Sequence, residues 1–576
     1  MIPVINAKQA VKYSLLIWFA LTPLFWHFDL SKGSVGFYDI LTLAPFSVVH
    51  AAIFFSLMFV SLCLQECSLF HILLITFYYP LIMLTNYPSF TFRDVFLHGA
   101  PTKTILEDGI LNYTRDLWPG SWPSSFVLWA MVAIVTQTDL VAANYILFFV
   151  LITLLALVTF SLARSFKNQG YLLASISALL FLGLFRNSEF ALTHFSRASY
   201  TLILILFFLL LFSSFKSRRG TLLCIIVSIG LIVAHPQQSF FVVLFLVSYL
   251  ILNFIYKKPL RKEFIFFYIM TFISWMMISA GNTTLSVYDW IKGAFSPKYW
   301  APISATISSS NSIPVWGIVL KNYYVSILVL SLLISIVASV ALIIRNKKRK
   351  TIISPTVILF SSFSLAIGCF FLVLSLMPEW SVMRFSAFAA FSAFPSIIFL
   401  NMLIKKREKR FLKIKQLKII LLIIVITLSF VSLIFRFQPN IFVGELSHQS
   451  EFSTLTHLYL YCNHPLSVTM TYRTCLYYYY YDYHSQDKIS YFNMHIPASN
   501  MGNQTAFMLS INKTITESSY IIRGARDEVD LSEQSSYSID SSRIFEKVDS
   551  ELISQQSSLI YSNGNYSMYV RTNMGR

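Results

Sequence analysis

The chain has 576 residues, 56% of them hydrophobic and only 12% charged, with a mean hydropathy of +0.65. Soluble domains carry about a quarter charged residues, so a soluble globular protein is excluded, and apolar runs of roughly 20 residues are expected to cross a bilayer as helices. The formal charge of +18 does not point to nucleic acid, because the basic residues cluster in every second loop, the pattern of cytoplasmic loops in a polytopic membrane protein.

The first apolar run, about Val11 to His27, follows Lys8 and Lys12. It has the shape of a signal peptide, but no small-residue cleavage site leads from it into a soluble domain, and an uncleaved first helix is expected. Runs at about Leu41 to Leu64 and Ser68 to Thr85 come next. Then Tyr87 to Asp139 forms the longest polar interruption of the first half, carrying Arg93, Asp94, His98, Lys103, Glu107, Asp108, Arg115 and Asp116. Within it Ser124 to Gln137 is apolar but only 14 residues long. At about 1.5 Å per residue it is too short to cross, and a helix at the membrane surface is expected.

Further spans are expected at about Val141 to Ala163, Tyr171 to Phe185, Ser199 to Phe215, Thr221 to Ala234, Ser239 to Tyr256, Phe264 to Ala280, Tyr323 to Ile344, Ile353 to Leu376, Phe385 to Ile404 and Ile419 to Phe435. This gives about thirteen spans. Only that number, with Ser124 to Gln137 left on the surface, puts all the basic clusters on one side. These are Lys8/Lys12, Arg164/Lys167, Lys216 to Arg219, Lys257 to Lys262, Arg345 to Lys350 and Lys405 to Lys418.

The opposite, outer side then holds Tyr87 to Asp139, the loops Arg186 to Arg197 and His235 to Gln238, the long loop Gly281 to Lys321, and Pro378 to Arg384. Five Asn-x-Ser/Thr sequons, at Asn112, Asn282, Asn503, Asn512 and Asn565, all fall on that side, in mild agreement with it. The expected localisation is the plasma membrane, multi-pass, with a cytoplasmic N-terminus.

From about Gln438 the composition turns polar, and 438–576 is expected to be a small extracytoplasmic α/β or β-rich domain following an all-α transmembrane domain, 1–437. Asn563-Gly564 sits between two alternating β-prone segments, Leu559 to Val570, which is a strong hairpin signal. Cys462 and Cys475 lie in this region, where an oxidising compartment makes a disulfide between them plausible. The other cysteines lie in or beside apolar runs as packing residues.

Asp94 and His98 are four apart, so they share a face if the segment is helical. A carboxylate there suits a general base or a metal ligand; the plainer reading is a solvated loop acid or a helix cap. Lys103, Arg197 and Arg384 suit a phosphate through charge-assisted hydrogen bonds, with interfacial anchoring the alternative for Arg384. Glu189 and Asp108 are second-acid candidates or ordinary loop charges. His235, before a proline, reads first as a helix cap. Trp290, Tyr299 and Trp300 offer flat faces to a sugar or an isoprenoid tail, or form an aromatic belt. His50 and His71 lie inside apolar runs, where an ionisable side chain is functional by default unless neutral and packed between helices.

FRDVFLHGAPTKTILEDG followed by WPGSWPSSFVLWAMVAIVTQTD resembles the first catalytic loop of integral-membrane GT-C glycosyltransferases. The matching positions are Asp94, His98, Gly109, Trp118-Pro119 ahead of a short helix, and Gln137 to Asp139 closing it. About thirteen helices and an outer C-terminal domain are also similar to oligosaccharyltransferase catalytic subunits. The loop follows the third helix here rather than the first, and the WWDYG motif of oligosaccharyltransferases is absent, so protein N-glycosylation is not part of the expectation.

The resemblance implies a GT-C-like arrangement and inverting sugar transfer from a polyprenyl-phosphate or polyprenyl-diphosphate sugar on the outer leaflet. The acceptor is a glycan, protein or lipid. Asp94 is then the base, or the ligand of a divalent cation (Mg2+ or Mn2+) where one is used. His98 lies beside the donor phosphate, Arg384 neutralises it, and the loop Gly281 to Lys321 closes over the donor. The competing readings are a transporter or flippase of polysaccharide or a lipid-linked precursor, a polysaccharide polymerase or ligase, and a non-catalytic scaffold. A transporter should carry ionisable or helix-breaking groups at the bilayer midplane, whereas charges here collect in the outer loops.

Overall fold

The computed structural model describes residues 6–32, 45–64, 68–86, 94–109, 122–164, 171–186, 195–214, 218–257, 262–280, 315–349, 355–375, 388–397 and 414–436 of the apolar part, and 468–471, 489–492, 520–524, 557–562 and 566–571 of the C-terminal part. The apolar part is helical: α1 (Ala7–Lys32), α2 (Pro45–Leu64), α3 (Leu69–Asn86), α4 (Asp94–Asp108), α5 (Ser124–Thr136), α6 (Leu140–Arg164), α7 (Tyr171–Arg186), α8 (Arg197–Ser214), α9 (Arg218–Ala234), α10 (Pro236–Ile255), α11 (Lys262–Ile278), α12 (Val315–Arg349), α13 (Pro355–Ser375) and α14 (Ile414–Arg436). A shorter helical segment, Phe388–Ile397, lies between the last two.

Each run expected to span coincides at least in part with one of these helices. Among the described residues, four helices are long and apolar enough to cross a membrane by length and composition: Ser47–Leu64, Leu140–Leu162, Pro236–Ile255 and Tyr323–Ile344. Thr76, Ser228, Ser362 and Ser429 each donate to the carbonyl four residues back, which removes the cost of carrying a polar atom in an apolar layer.

α1 packs on α2 and α3, α3 on α6, and α6 on α7 and α8. α14 closes the bundle by packing against both α2 and α7. It comes close at Gly183 of α7, where a Cβ would stand 3.3 Å from Leu428 Cδ2 and 3.3 Å from Ser429 Oγ. α10 lies along α13, with Phe241 packed edge-on against Phe363 and Phe370 and tilted against Phe388. A serine cluster joins α12 to its neighbours: Ser331 meets Ser392 at 3.0 Å and Ser396 at 3.2 Å, and Ser335 meets Ser364. Small hydroxyl residues let helix backbones approach closely where the hydrophobic effect does not distinguish helix from lipid.

Two tyrosines fix opposite ends of the bundle. Tyr324, near the start of α12, donates to the carbonyl of Leu184 at 3.1 Å, and Tyr256, just past α10, donates to that of Ile343 at 2.9 Å. The second end is the basic one, since Lys257 follows Tyr256 and α12 runs on to Arg345 and Arg349. α8, α10 and α12 all start at the first end, and α4 and α5 belong to it.

His50 and His71 turn out to be fasteners. His50 Nε2 meets the Trp18 carbonyl at 2.8 Å, and Nδ1 meets the Tyr78 hydroxyl at 2.9 Å. A carbonyl accepts only, so Nε2 carries the proton and the Tyr78 O–H donates to Nδ1. His71 accepts the Ser68 N–H at Nδ1 (3.1 Å) and meets Ser61 Oγ at 2.9 Å through Nε2. Both are neutral rings tying α1, α2 and α3 together.

In the C-terminal part, β1 (Val468–Thr471), β2 (Ile489–Phe492), β3 (Tyr520–Gly524), β4 (Ser557–Ser562) and β5 (Tyr566–Arg571) form one mixed sheet in the order β2-β1-β3-β5-β4. β1 is parallel to β2 and β3, while β5 is antiparallel to β3 and β4. β4 and β5 are the hairpin expected around Asn563-Gly564, with Ser562 opposite Ser567.

Candidate functional site

α4 carries the segment expected to hold the chemistry. Asp94 opens it, where the helix dipole favours a negative charge, and His98 follows one turn later on the same face. The His98 ring sits 5.9 Å from that of Phe126, centroid to centroid, and so joins α4 to the first turn of α5. Gly109 ends α4 with φ +72°, the left-handed conformation that glycine adopts without cost. Its place in the motif is that of a helix stop. Lys103, expected at a phosphate, pairs with Glu107 at 3.7 Å one turn away on an open surface. Asp108 is the exposed last residue of α4.

α5 is 13 residues long, about 20 Å at 1.5 Å per residue, well short of the hydrocarbon thickness. Its contacts show how it lies. Trp129, fully buried near its middle, donates its indole N–H to the carbonyl of Leu140, the first residue of α6, at 2.9 Å. The same ring packs edge-on against Phe195, just before α8. Ser124, at the far end of α5, hydrogen-bonds Tyr200 in the first turn of α8. A helix folded back along the bundle would meet α8 near its middle, so α5 lies across the bundle end. Its inner face (Phe126, Trp129, Ala130, Ala133) is buried, and the residues it exposes before Thr136 are all apolar: Val127, Met131, Ile134 and Val135. A polar turn closes it, with Gln137 at φ +53° and Asp139 Oδ1 accepting the Ala142 N–H at 2.8 Å to cap α6.

The start of α8 is locked to the same place. The Asn144 amide exchanges two hydrogen bonds with the Phe195 backbone, at 3.3 and 3.4 Å. Ser196 and Ser199 cap each other's backbone N–H at 3.1 Å, a serine version of the capping box. Arg197 opens α8, buried, three residues before Tyr200. His235 caps α10, its Nδ1 accepting the Gln237 N–H at 3.3 Å ahead of Pro236 at the first helical position; the capping reading of this histidine therefore holds. Next to it Gln238 is 0% exposed, and both ends of its side-chain amide are without a hydrogen-bond partner.

The structure thus brings Asp94, His98, Arg197 and His235 to helix starts at one end of the bundle. Arg384, Glu189, Trp290, Tyr299, Trp300, Cys462 and Cys475 lie outside the described residues. So does Trp118-Pro119; the pair that leads directly into α5 is Trp122-Pro123, both buried. Among the described residues no three His, Cys, Asp or Glu side chains gather into a possible metal site, so these residues do not by themselves make up a divalent-cation set. Ser125, Asn144, Tyr200 and Gln238 were not singled out from sequence. The Arg197–Tyr200 spacing of three, and Ser-Ser after Trp-Pro at the start of an apolar run, are the signals that point to two of them.

No protein-family model and no curated protein matches the sequence. Among solved structures, the archaeal oligosaccharyltransferase AglB from Archaeoglobus fulgidus, in complex with an inhibitory peptide and a dolichol-phosphate, is similar in outline, with a TM-score of 0.46 and 10% identity over 88% of this chain and 74% of that one.

Proposed function

We propose that this protein is a membrane glycosyltransferase that moves a sugar from a polyprenyl-phosphate-linked donor to an acceptor hydroxyl, at the outer face of the plasma membrane, with inversion. The observation that carries the reading is α5 lying across one bundle end, with His98 packed on Phe126 and Tyr200 bonded to Ser124. A surface-lying apolar helix next to an acid-and-histidine helix start suits chemistry on a lipid headgroup.

In the proposed reaction Asp94 takes the proton of the acceptor hydroxyl. The acceptor oxygen forms a bond to the anomeric carbon from the face opposite the phosphate. The bond from that carbon to the phosphate oxygen breaks, and the phosphate leaves with the electron pair. Arg197 and Arg384 offset the charge left on the phosphate. The neutral, internally satisfied His50 and His71 favour an enzyme over a transporter, because neither is held ready for a passing substrate.

The test is Asp94→Asn in membranes supplied with polyprenyl-phosphate-linked sugar. Transfer is expected to drop by about a hundredfold or more with the protein still folded. Wild-type transfer by the variant overturns the assignment of the base, and flux of the lipid-linked sugar across sealed vesicles without bond formation overturns the enzyme.

A further inference from the structure

We propose that the first turn of α5 binds a phosphate oxyanion, with the Ser125 hydroxyl and the backbone N–H groups of Ser124, Ser125 and Phe126 as its donors. The proposal deepens the reading above and rests on it only for the source of the phosphate, the headgroup of the lipid-linked donor.

A helix start leaves its first backbone N–H groups without partners, and a side-chain oxygen at the N-cap ordinarily takes one of them. α5 has no such cap. Pro123 precedes it and makes no side-chain capping bond, and the indole of Trp122 has no acceptor to offer. The first bond back into the helix is Val127 N–H to the Pro123 carbonyl, at 3.0 Å. The donors ahead of Val127 face outward from the helix start, at the positive end of its dipole.

Ser125 is the second, independent observation. It is 2% exposed, yet its hydroxyl has no hydrogen-bond partner. A serine deeper in a helix satisfies itself on the carbonyl four residues back, as Ser228 does. At the second helical position that carbonyl lies outside the helix. Three N–H groups and a hydroxyl therefore belong to one helix turn, with donors to give and, among the described residues, nothing to receive them. The chemistry they fit is an acceptor-only, negatively charged group, and a phosphate at a helix start is the standard case.

The surroundings agree in sign. His98 packs on Phe126, Tyr200 bonds Ser124, and Arg197 opens α8 one turn before Tyr200, so a second helix start lies next to the first. The exposed apolar face of α5 (Val127, Met131, Ile134, Val135) runs away from this turn. A phosphate at the turn with an isoprenoid tail along that face uses both features. A free phosphate uses only one.

The experiment is thermal unfolding of the purified full chain in detergent with farnesyl phosphate, farnesol or inorganic phosphate. Farnesyl phosphate is expected to raise the midpoint while farnesol does not. An equal rise with inorganic phosphate supports the site with a free-phosphate source, and no rise with either phosphate overturns it. Ser125→Ala is expected to weaken farnesyl phosphate by about three- to tenfold, the loss of one charge-assisted hydrogen bond.

Ser125→Asp puts a carboxylate among the same free N–H groups that would hold the phosphate, so the buried charge has partners of its own there, and the rise is expected to vanish. An undiminished rise with Ser125→Asp overturns the proposal. Asp94→Asn is expected to keep the rise while losing transfer. A wild-type chain that shows the rise but transfers no sugar would sink the enzyme reading and leave the anion site standing.

Discussion

The indole N–H of Trp129 donates to the carbonyl of Leu140 at 2.9 Å, with the ring fully buried against Phe195. This one side chain holds the middle of α5 to the starts of both α6 and α8. Trp129→Phe keeps most of the packing but loses the indole bond to the Leu140 carbonyl, which still accepts within α6, and is expected to cost about 0.5–1.5 kcal/mol. Trp129→Ala adds a cavity and is expected to cost about 3–5 kcal/mol, releasing α5 from the bundle end. Chemical unfolding in detergent measures the first. Protease sensitivity between α4 and α6 reads the second, and resistance equal to wild type would contradict the placement of α5.

Lys103 and Arg197 were equal candidates for the phosphate from sequence, and their surroundings separate them. Lys103 is paired with Glu107 on an open face of α4, an arrangement contributing only about 0.3–0.5 kcal/mol. Lys103→Met is therefore expected to leave donor affinity and stability nearly unchanged. Arg197 is buried at the start of α8, beside α5. Arg197→Met is expected to raise the KM for the donor by about tenfold or more, as loss of a charge-assisted bond in a dry site does. Steady-state kinetics with varied donor decides, and equal effects of the two variants would refute the distinction.

The short α5, its polar closing turn and the cap at His235 were legible in the sequence, because each is a local signal: run length, a polar stretch after it, a residue before proline. The hairpin of β4 and β5 was legible for the same reason. The helix α4 was not, since Gly99 and Pro101 interrupt it and no apolar period marks it. Nor were the bonds that assemble the site. Ser124 and Tyr200 are far apart in the chain, as are Asn144 and Phe195, and no spacing rule connects them. Two Trp-Pro pairs read alike in the sequence; Trp122-Pro123 is the one directly before the helix start at Ser124, and Trp118-Pro119 lies outside the described residues.

Gly183 sets the distance between α7 and α14. An added Cβ would lie 3.3 Å from both Leu428 Cδ2 and Ser429 Oγ, so Gly183→Ala requires a small side-chain shift and is expected to cost about 1 kcal/mol or less. Gly183→Leu has no room, and overpacking of this kind costs about 1–3 kcal/mol. The two variants compared by detergent unfolding should differ in that order. A Leu variant as stable as the Ala variant would show that the two helices do not meet at Gly183.

Gln238 lies in the first turn of α10, 0% exposed, with neither its carbonyl nor its amino group hydrogen-bonded. A buried amide left unpaired costs about 1–3 kcal/mol, whereas an apolar side chain of similar size at the same position incurs no such cost. One turn further along the helix, Phe241 is already packed among Phe363, Phe370 and Phe388, so an apolar residue at 238 extends an existing cluster. Gln238→Leu is therefore expected to stabilise the protein by about 1 kcal/mol or more, in contrast to most buried substitutions. Gln238→Glu is expected to destabilise it strongly, because the charged form has no partner to offset its desolvation. Unfolding of both variants at neutral pH measures the pair. If the Leu variant is less stable than wild type, the amide is satisfied by a buried water, and the high-resolution structure of the wild type should then show that water at Gln238.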